Sequence, residues 1–567
     1  INKPQKNQNH KPQLQQRSKT MDRNEENKYG IVDEINKPRS TWTRNYTHKT
    51  SFNAGKLVPF LLDMDIIPGT TIKNQTSVIV RMSTPLFPTM DNLYLDTYYF
   101  KCSKFWYWEH WRRMMGENDY GAWAQTIEYT EPKIKTTSTY PTSVNDLATY
   151  LGVRMGVANL KYSKIAVNAY IDIWNQWFRD QNLQAPIIFD KTDADLNADN
   201  TINTGFGLLP VQKFHDYFTS CLPEPQKGSA ITTPLGVSAP VYTSGTDNLY
   251  PTSYGLRFRR ADGNNMTAGK YNIFGTVDTG DLAHAKGVIG TTSVTQTAYA
   301  VTPSNLYADL SQATASTINA LRLSFATQRI LERDSMCGTR YVELLDAHFG
   351  SKPSDESVMR PEYLGGKRIP INIETVLQNS STDATSPLGQ TGAFSVTIDT
   401  NEDFTKSFSK DDILMGVMCI RADHTYQQGL PRQLTRTRRL DRYWPELSHI
   451  GNQPVYNYEI YATGTSTDDE VFGYKEAWQE YMYYINRISG ELLSDYATSL
   501  DTWHYGDDYT SLPILADAWI KEPTTFIDRT LAVQSSTHNQ FIADIYVEQI
   551  VTAPIPLHRV PGLIDHY

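Results

Sequence analysis

Ile413-Leu-Met-Gly-Val-Met-Cys-Ile420 is apolar at odd and even positions alike. Successive side chains of a strand point to opposite faces, so this run suits a strand covered on both sides. Working outward from it, Ile369-Pro-Ile-Asn-Ile373 alternates, and Val455–Tyr461 and Phe541–Val551 are further strand candidates. Far upstream, residues 71–82 end in the β-branched run Val78-Ile-Val80. After the break at Pro85 and Pro88, Asn92-Leu-Tyr-Leu-Asp-Thr-Tyr-Tyr-Phe100 is dense in β-formers. Strands toward both ends of the chain, with helices and loops between, point to one mainly β barrel whose connections have grown. No internal repeat is visible.

The connections carry helical signals. Trp106–Met115 reads as a short helix closed by Gly116. A second runs from Ser143, with Asp146 three residues on in a capping-box-like arrangement, to Gly152. Over 163–178, Ile165, Ala166, Ala169, Tyr170, Ile173, Trp174 and Trp177 fall along one helical face, a stripe expected to pack on a core. Helical pattern returns at 316–333, capped by Ser316 and carrying Ile318, Leu321 and Phe325, and at 339–349 before Gly350. Between these, 229–315 is rich in Thr, Ser, Gly, Ala, Asn and Tyr. Long structureless loops are rare in compact domains, so this stretch is expected to be an ordered surface insertion with strands of its own.

The chain has 567 residues, 40% hydrophobic, 12% aromatic and 20% charged, the profile of a globular protein. Roughly 150 residues per domain would give three or four domains, but a barrel with long insertions can exceed that as one unit. Thirty-five tyrosines suit strand surfaces and protein contacts that stay partly wet. A net charge of −9 excludes a uniformly basic nucleic-acid binder. Yet residues 1–20 hold Lys3, Lys6, Lys11, Arg17 and Lys19 and no acid. Residues 1–30 have almost no apolar residue to offset the cost of ordering and globular sequence begins near Trp42, so 1–40 reads as a flexible basic arm. Such an arm can neutralise phosphates without reading bases. Cys102, Cys221, Cys337 and Cys419 show no CxxC spacing, which speaks for reduced thiols and against a disulfide framework or a zinc site. No apolar run approaches the roughly 18 residues that span a bilayer, so no membrane insertion is expected, and no signal-peptide pattern opens the stretch. Ile1 is not an initiator, so a processed or incomplete N-terminus is expected, with Met21 as a candidate internal start.

Catalytic signatures are missing from the sequence: no GxSxG, GxxxxGK[ST], HExxH or Rossmann glycine pattern occurs. Asp193, Asp195, Asn197 and Asp199 imitate an EF-hand opening, but Ala198 and Thr204 stand where Gly and Glu are required; a solvated acidic loop is expected. His215, His348, His424, His449, His504 and His566 share no ligand spacing and read as hydrogen-bonded structural residues. No catalytic residue, cofactor or metal is expected.

Several blocks resemble the major capsid protein family of gokushoviruses, a branch of the microviruses. They are His48–Pro59, Met90–Phe100, Asn175-Gln-Trp-Phe-Arg-Asp180, His215-Asp-Tyr-Phe-Thr-Ser220 with Leu222-Pro, and Pro225-Gln-Lys-Gly228. Glu332-Arg-Asp334, Gly338-Thr-Arg-Tyr341, Arg360–Gly366, Arg421-Ala-Asp-His-Thr-Tyr-Gln-Gln-Gly-Leu430, Phe472–Glu476, Trp503-His504 and Pro561–Tyr567 continue the order. Residues 229–315 resemble none of the blocks and fall where such proteins carry a variable projecting insertion; Glu224 and Cys337 also depart from the pattern. The resemblance implies an eight-stranded antiparallel jelly roll with long helical and loop insertions, occupying 41–567 as a single domain. It further implies pentamers assembling into a T=1 icosahedral shell around a circular single-stranded DNA genome, a virion protein assembled in the bacterial cytoplasm. Minor pilot and scaffold proteins and a host surface receptor are the other partners it implies, the receptor being met through 229–315. The basic residues of the arm are expected to face the interior and touch DNA. A rival reading, a secreted β-sandwich that binds glycans, rests on the aromatic content and the Ser/Thr/Asn loops.

Overall fold

In Phe541–Ala553 burial alternates residue by residue without interruption, the pattern of a strand with one dry and one wet face. The computed structural model describes residues 38–118, 127–198, 206–229, 231, 318–380 and 387–558, together with the backbone of six short strands between 241 and 308. Eight of its strands form two four-stranded antiparallel sheets. In chain order they are β1 (Ser40–Phe52), β2 (Val58–Ile66), β3 (Thr70–Met82), β4 (Leu93–Ser103), β5 (Glu362–Pro370), β6 (Thr397–Phe408), β7 (Asp412–Ala422) and β8 (Phe541–Ala553). One sheet runs β1-β8-β3-β6 and the other β5-β4-β7-β2. β8 pairs along its length with both neighbours, from Ser40↔Ala553 to Phe52↔Phe541 on one side and from Phe541↔Met82 to Thr552↔Thr71 on the other.

The sheets share one apolar core in which Ile72, Val78, Val80, Ile545 and Val547 meet Phe60, Leu95, Tyr99, Met415 and Val417. Tyr99 of β4 lies 5.3 Å from Phe404 of β6 and 5.7 Å from Phe60. Its neighbours in sequence turn the other way: Tyr98 meets Phe178 edge-on at 5.1 Å and Phe100 meets Trp177 at 5.6 Å. The second sheet is therefore covered on both faces. All eleven residues of β7 are buried, as the opening run demands. The sheets also come together along one margin. Leu364 in β5 and Asp403 in β6 are extra residues at bulges, and a Cβ on Gly365 would stand 2.5 Å from the Asp403 carbonyl oxygen. Only glycine lets two backbones approach so closely.

The helices correct the sequence reading in detail. Lys164–Ile173, α1, continues into one wider π-type turn over Trp174–Phe178. All ten residues of α1 are buried, polar ones included, so it has no wet face opposite the expected stripe. Lys164 survives there by donating to Asp190, Thr192 O and Ala194 O at 2.6 to 3.1 Å. The helix expected from Ser143 to Gly152 is a single turn, Leu147–Tyr150. Asp146 is its cap residue, but its carboxylate accepts from Thr142 N and Ser143 N instead, folding the preceding chain into a turn. Trp106–Met115 likewise yields one turn, Trp111–Met114. The strand expected at Val455–Tyr461 stops at Tyr456, where Glu459 reaches back to Tyr456 N and opens the short helix Asn457–Ile460.

The chain divides into two compact units. Both sheets lie in the first, made of residues up to Pro223, Lys352–Ser448 and Pro454 onward; Glu224–Ser351 with His449–Gln453 form the second. The second unit holds α2 (Ile318–Met336), α3 (Tyr341–Phe349) and the six short strands, four of them in one antiparallel sheet. Gly350 ends α3 at φ 64°, the left-handed stop that glycine favours. Ser316, the expected cap of α2, lies outside the described residues.

Candidate assembly surface and its buried anchor

Between Ala422 and Phe541 most of the chain follows short helical turns and loops, with one pair of short strands, Asn452–Tyr456 and Val471–Glu476, among them. Backbone groups on such a path need partners from elsewhere, and residues 421–430 supply many of them. Buried Arg421 donates to Asp96 at 2.6 Å and to the Tyr98 hydroxyl at 2.8 Å, while Arg368 donates to the same carboxylate at 2.8 Å. Both guanidiniums lie over the Phe214 ring, at 4.1 and 4.2 Å. Tyr426 donates to Asp216 at 2.5 Å. Gln427 and Gln428 each give and take a hydrogen bond, with Ser494 and with the Tyr509 backbone, at 2.8 to 2.9 Å. Gly429 lies flat under another strand of backbone: a Cβ there would stand 1.9 Å from the Glu459 carbonyl oxygen.

His424 is the centre of the anchor. Its Nδ1 meets Asp507 at 2.9 Å and its Nε2 meets Glu522 at 3.1 Å. Lys213 donates to Asp507 at 3.3 Å and lies 4.7 Å over the Trp519 ring, and the Tyr509 hydroxyl donates to Asp507 at 2.6 Å. Burial works against the imidazolium, but Glu522 and Asp507 outweigh it and raise His424 to about 10. Burial also opposes ionisation of Asp507, yet His424 and Lys213 hold its carboxyl well below the usual range. Two cations and two anions thus balance inside the protein, and removing one would strand its partner. This is an ion network that ties together loops distant in sequence.

What the anchor holds in place is an apolar, arginine-bearing surface. Met482 and Tyr484 are 78% and 82% exposed, and Leu434, Leu440, Tyr443, Tyr483 and Tyr496 also face solvent. Arg436 donates to Glu480 at 2.6 Å and lies 4.4 Å over Tyr481; Arg439 lies 4.5 Å over Trp444. Arg438, Arg439 and Arg442 are exposed. Tyrosine, methionine and arginine are the residues that concentrate in protein interfaces, and clustered exposed apolar groups mark interaction sites. In the second unit, α2 exposes Ile318, Leu323 and Phe325. No sequence periodicity signalled the surface around Met482, because it is built from two irregular segments.

Lys3, Lys6, Lys11, Arg17 and Lys19 lie outside the described residues, as do His566 and most of 229–315. Asp193 and Asp195 are not joined in a cation loop. Asp193 accepts from Trp108 Nε1 at 2.6 Å and meets His110 at 2.8 Å, and Asp195 accepts from Lys133 N and Lys161 at 2.8 and 2.9 Å. His504 meets Leu492 O through Nε2 at 2.7 Å and accepts from Gly506 N. The four cysteines are free thiols, all but Cys337 buried. No helix among the described residues is long and apolar enough to cross a membrane.

Antiparallel sheets packed face to face, with long anchored connections that present apolar side chains to solvent, are an architecture that the structural proteins of viral capsids share with other β-sandwich proteins. The chain belongs to the phage capsid protein (F protein) family, whose model matches residues 32–563. It is 34% identical over 552 residues to capsid protein VP1 of Bdellovibrio phage phiMH2K, covering 96% of this chain and 99% of that one. Capsid protein VP1 of Spiroplasma virus 4 is 36% identical over 531 residues, 91% of this chain and 94% of its own length. That of Chlamydia phage 1 is 33% identical over 591 residues, 95% and 98%. The resemblance to gokushovirus capsid proteins is thereby shown, and the chain is a bacteriophage structural protein and virion component.

Proposed function

We propose that the chain is the major capsid protein that builds a T=1 icosahedral shell, through pentamers, around a circular single-stranded DNA genome. The observation that carries this is the pair of four-stranded antiparallel sheets, β1-β8-β3-β6 and β5-β4-β7-β2, an arrangement we read as an eight-stranded jelly roll. Such a fold deals with its strand edges internally and leaves loops free for contacts between copies. The surface around Met482 and Tyr484 supplies one such contact in this reading. The arm bearing Lys3, Lys6, Lys11, Arg17 and Lys19 lies inside the shell and meets phosphates without base preference. Residues 229–315 face outward and contribute to host attachment, and assembly takes place in the host cytoplasm with minor pilot and scaffold proteins as partners. No catalytic role is assigned. Electron microscopy of purified protein, with assay of nuclease-protected DNA, tests this. Small icosahedral particles holding single-stranded DNA support it; protein that stays monomeric under every assembly condition, with no particle containing it in infected cells, overturns it.

A further inference from the structure

Asp334 lies in the last turn of α2, Cys337 just beyond that helix, and His348 in the last turn of α3. The chain reverses between the helices at Gly338, φ 93°, which brings the three side chains to one place. A carboxylate oxygen, the thiol sulfur and an imidazole nitrogen lie within 4.8 Å of one another. His348 Nε2 meets Asp334 Oδ1 at 2.7 Å. Cys337 Sγ lies 3.8 Å from Asp334 O and 3.5 Å from Gly338 O. All three residues are half-buried.

We infer that Asp334, Cys337 and His348 form a binding site for a zinc-class divalent cation that ties α2 to α3. One sulfur, one nitrogen and one oxygen donor make the set that a borderline-soft, tetrahedral ion accepts; calcium and magnesium seek oxygen alone. Three protein ligands leave the fourth position to water. Coordination replaces the thiol proton, which passes to solvent, with a metal–sulfur bond. Ligand atoms on an ion of this class sit some 3 to 4 Å apart, so the present spacing needs only side-chain adjustment. The absence of a CxxC pair, which argued against zinc in the sequence, does not bear on a site whose donors are of three kinds. The site belongs to the second unit and does not depend on the assembly reading.

Cobalt(II) titration of the full-length, metal-free protein tests it, because cobalt reports thiolate ligation by a near-ultraviolet charge-transfer band and four-coordination by its visible bands. One cobalt per chain with both signatures, displaced by zinc, is the expected result. Cys337→Ser should abolish the charge-transfer band, and His348→Gln should weaken binding roughly tenfold or more, with the metal-free circular dichroism of both unchanged. A wild-type titration lacking the thiolate band overturns the inference without recourse to any variant. So does a band that persists in Cys337→Ser.

Discussion

His424 and Glu522 face each other at 3.1 Å, with side chains 2% and 0% exposed. The pair sets a pH limit on the protein. An imidazole of ordinary value 6.5 that titrates near 10 in the folded state stabilises the fold fully below about pH 6.5 and progressively less as pH rises toward 10. The thermal midpoint should therefore fall across that interval. His424→Gln should cost about 3–5 kcal/mol near neutrality, the usual result of stranding a buried charge, and should flatten the alkaline decline. Thermal unfolding of both proteins from pH 6 to 10, roughly the window bounded by the two values, measures this; parallel curves would refute the assignment.

Gly429→Ala should destabilise the first unit by about 1–3 kcal/mol, because its Cβ would meet the Glu459 carbonyl at 1.9 Å. Gly392→Ala is the matched control. Its nearest neighbour is 3.9 Å away, and a change within about 0.5 kcal/mol is expected. Urea midpoints with unchanged slopes separate the two.

Met482→Ser with Tyr484→Ser should leave the unfolding midpoint of the isolated chain almost unchanged, since both side chains are exposed. Particle yield should fall several-fold if this surface joins copies in the shell. Sedimentation of assembly reactions reads the outcome, and undiminished particles would remove the surface from the proposed contacts.

Replacing Lys3, Lys6, Lys11, Arg17 and Lys19 with glutamine should lower DNA content and particle stability. In binding to single-stranded oligonucleotides, the slope of log affinity against log salt should drop by about 3 to 4. An unchanged slope would show that the arm does not meet the phosphates.

Deleting the tip of 229–315 should spare folding and reduce adsorption to host cells. Adsorption at the wild-type level would count against an attachment role.

What the sequence made legible was local. The run 413–420 announces a strand dry on both sides because every residue agrees, and β7 is that strand. Phe541–Val551 carries its two-residue period through to Ala553. Expectations went wrong where one polar side chain redirects the chain. Asp146 spends its carboxylate on a turn and shortens a helix, and Glu459 ends a strand by capping a helical turn. The block 421–430 could be read only as a likeness, because the partners of His424 stand 83 and 98 residues away. No spacing rule reaches across such intervals. The surface around Met482 escaped notice for the same reason, and the basic arm rests on charge alone.

The position of β8 between β1 and β3 has a consequence for how the protein is made. A ribosome that has reached Gln540 has already produced seven of the eight long strands. The first sheet is nevertheless still in pieces, β1 detached on one side and β3 with β6 on the other. The strand that joins them is synthesised last, and its ladders close the longest loops in the chain. An interrupted translation product therefore lacks the middle of a sheet, not its margin. Only a polypeptide translated past Ala553 can complete the sandwich, so the order of strands keeps any copy cut short before that point from closing its first sheet.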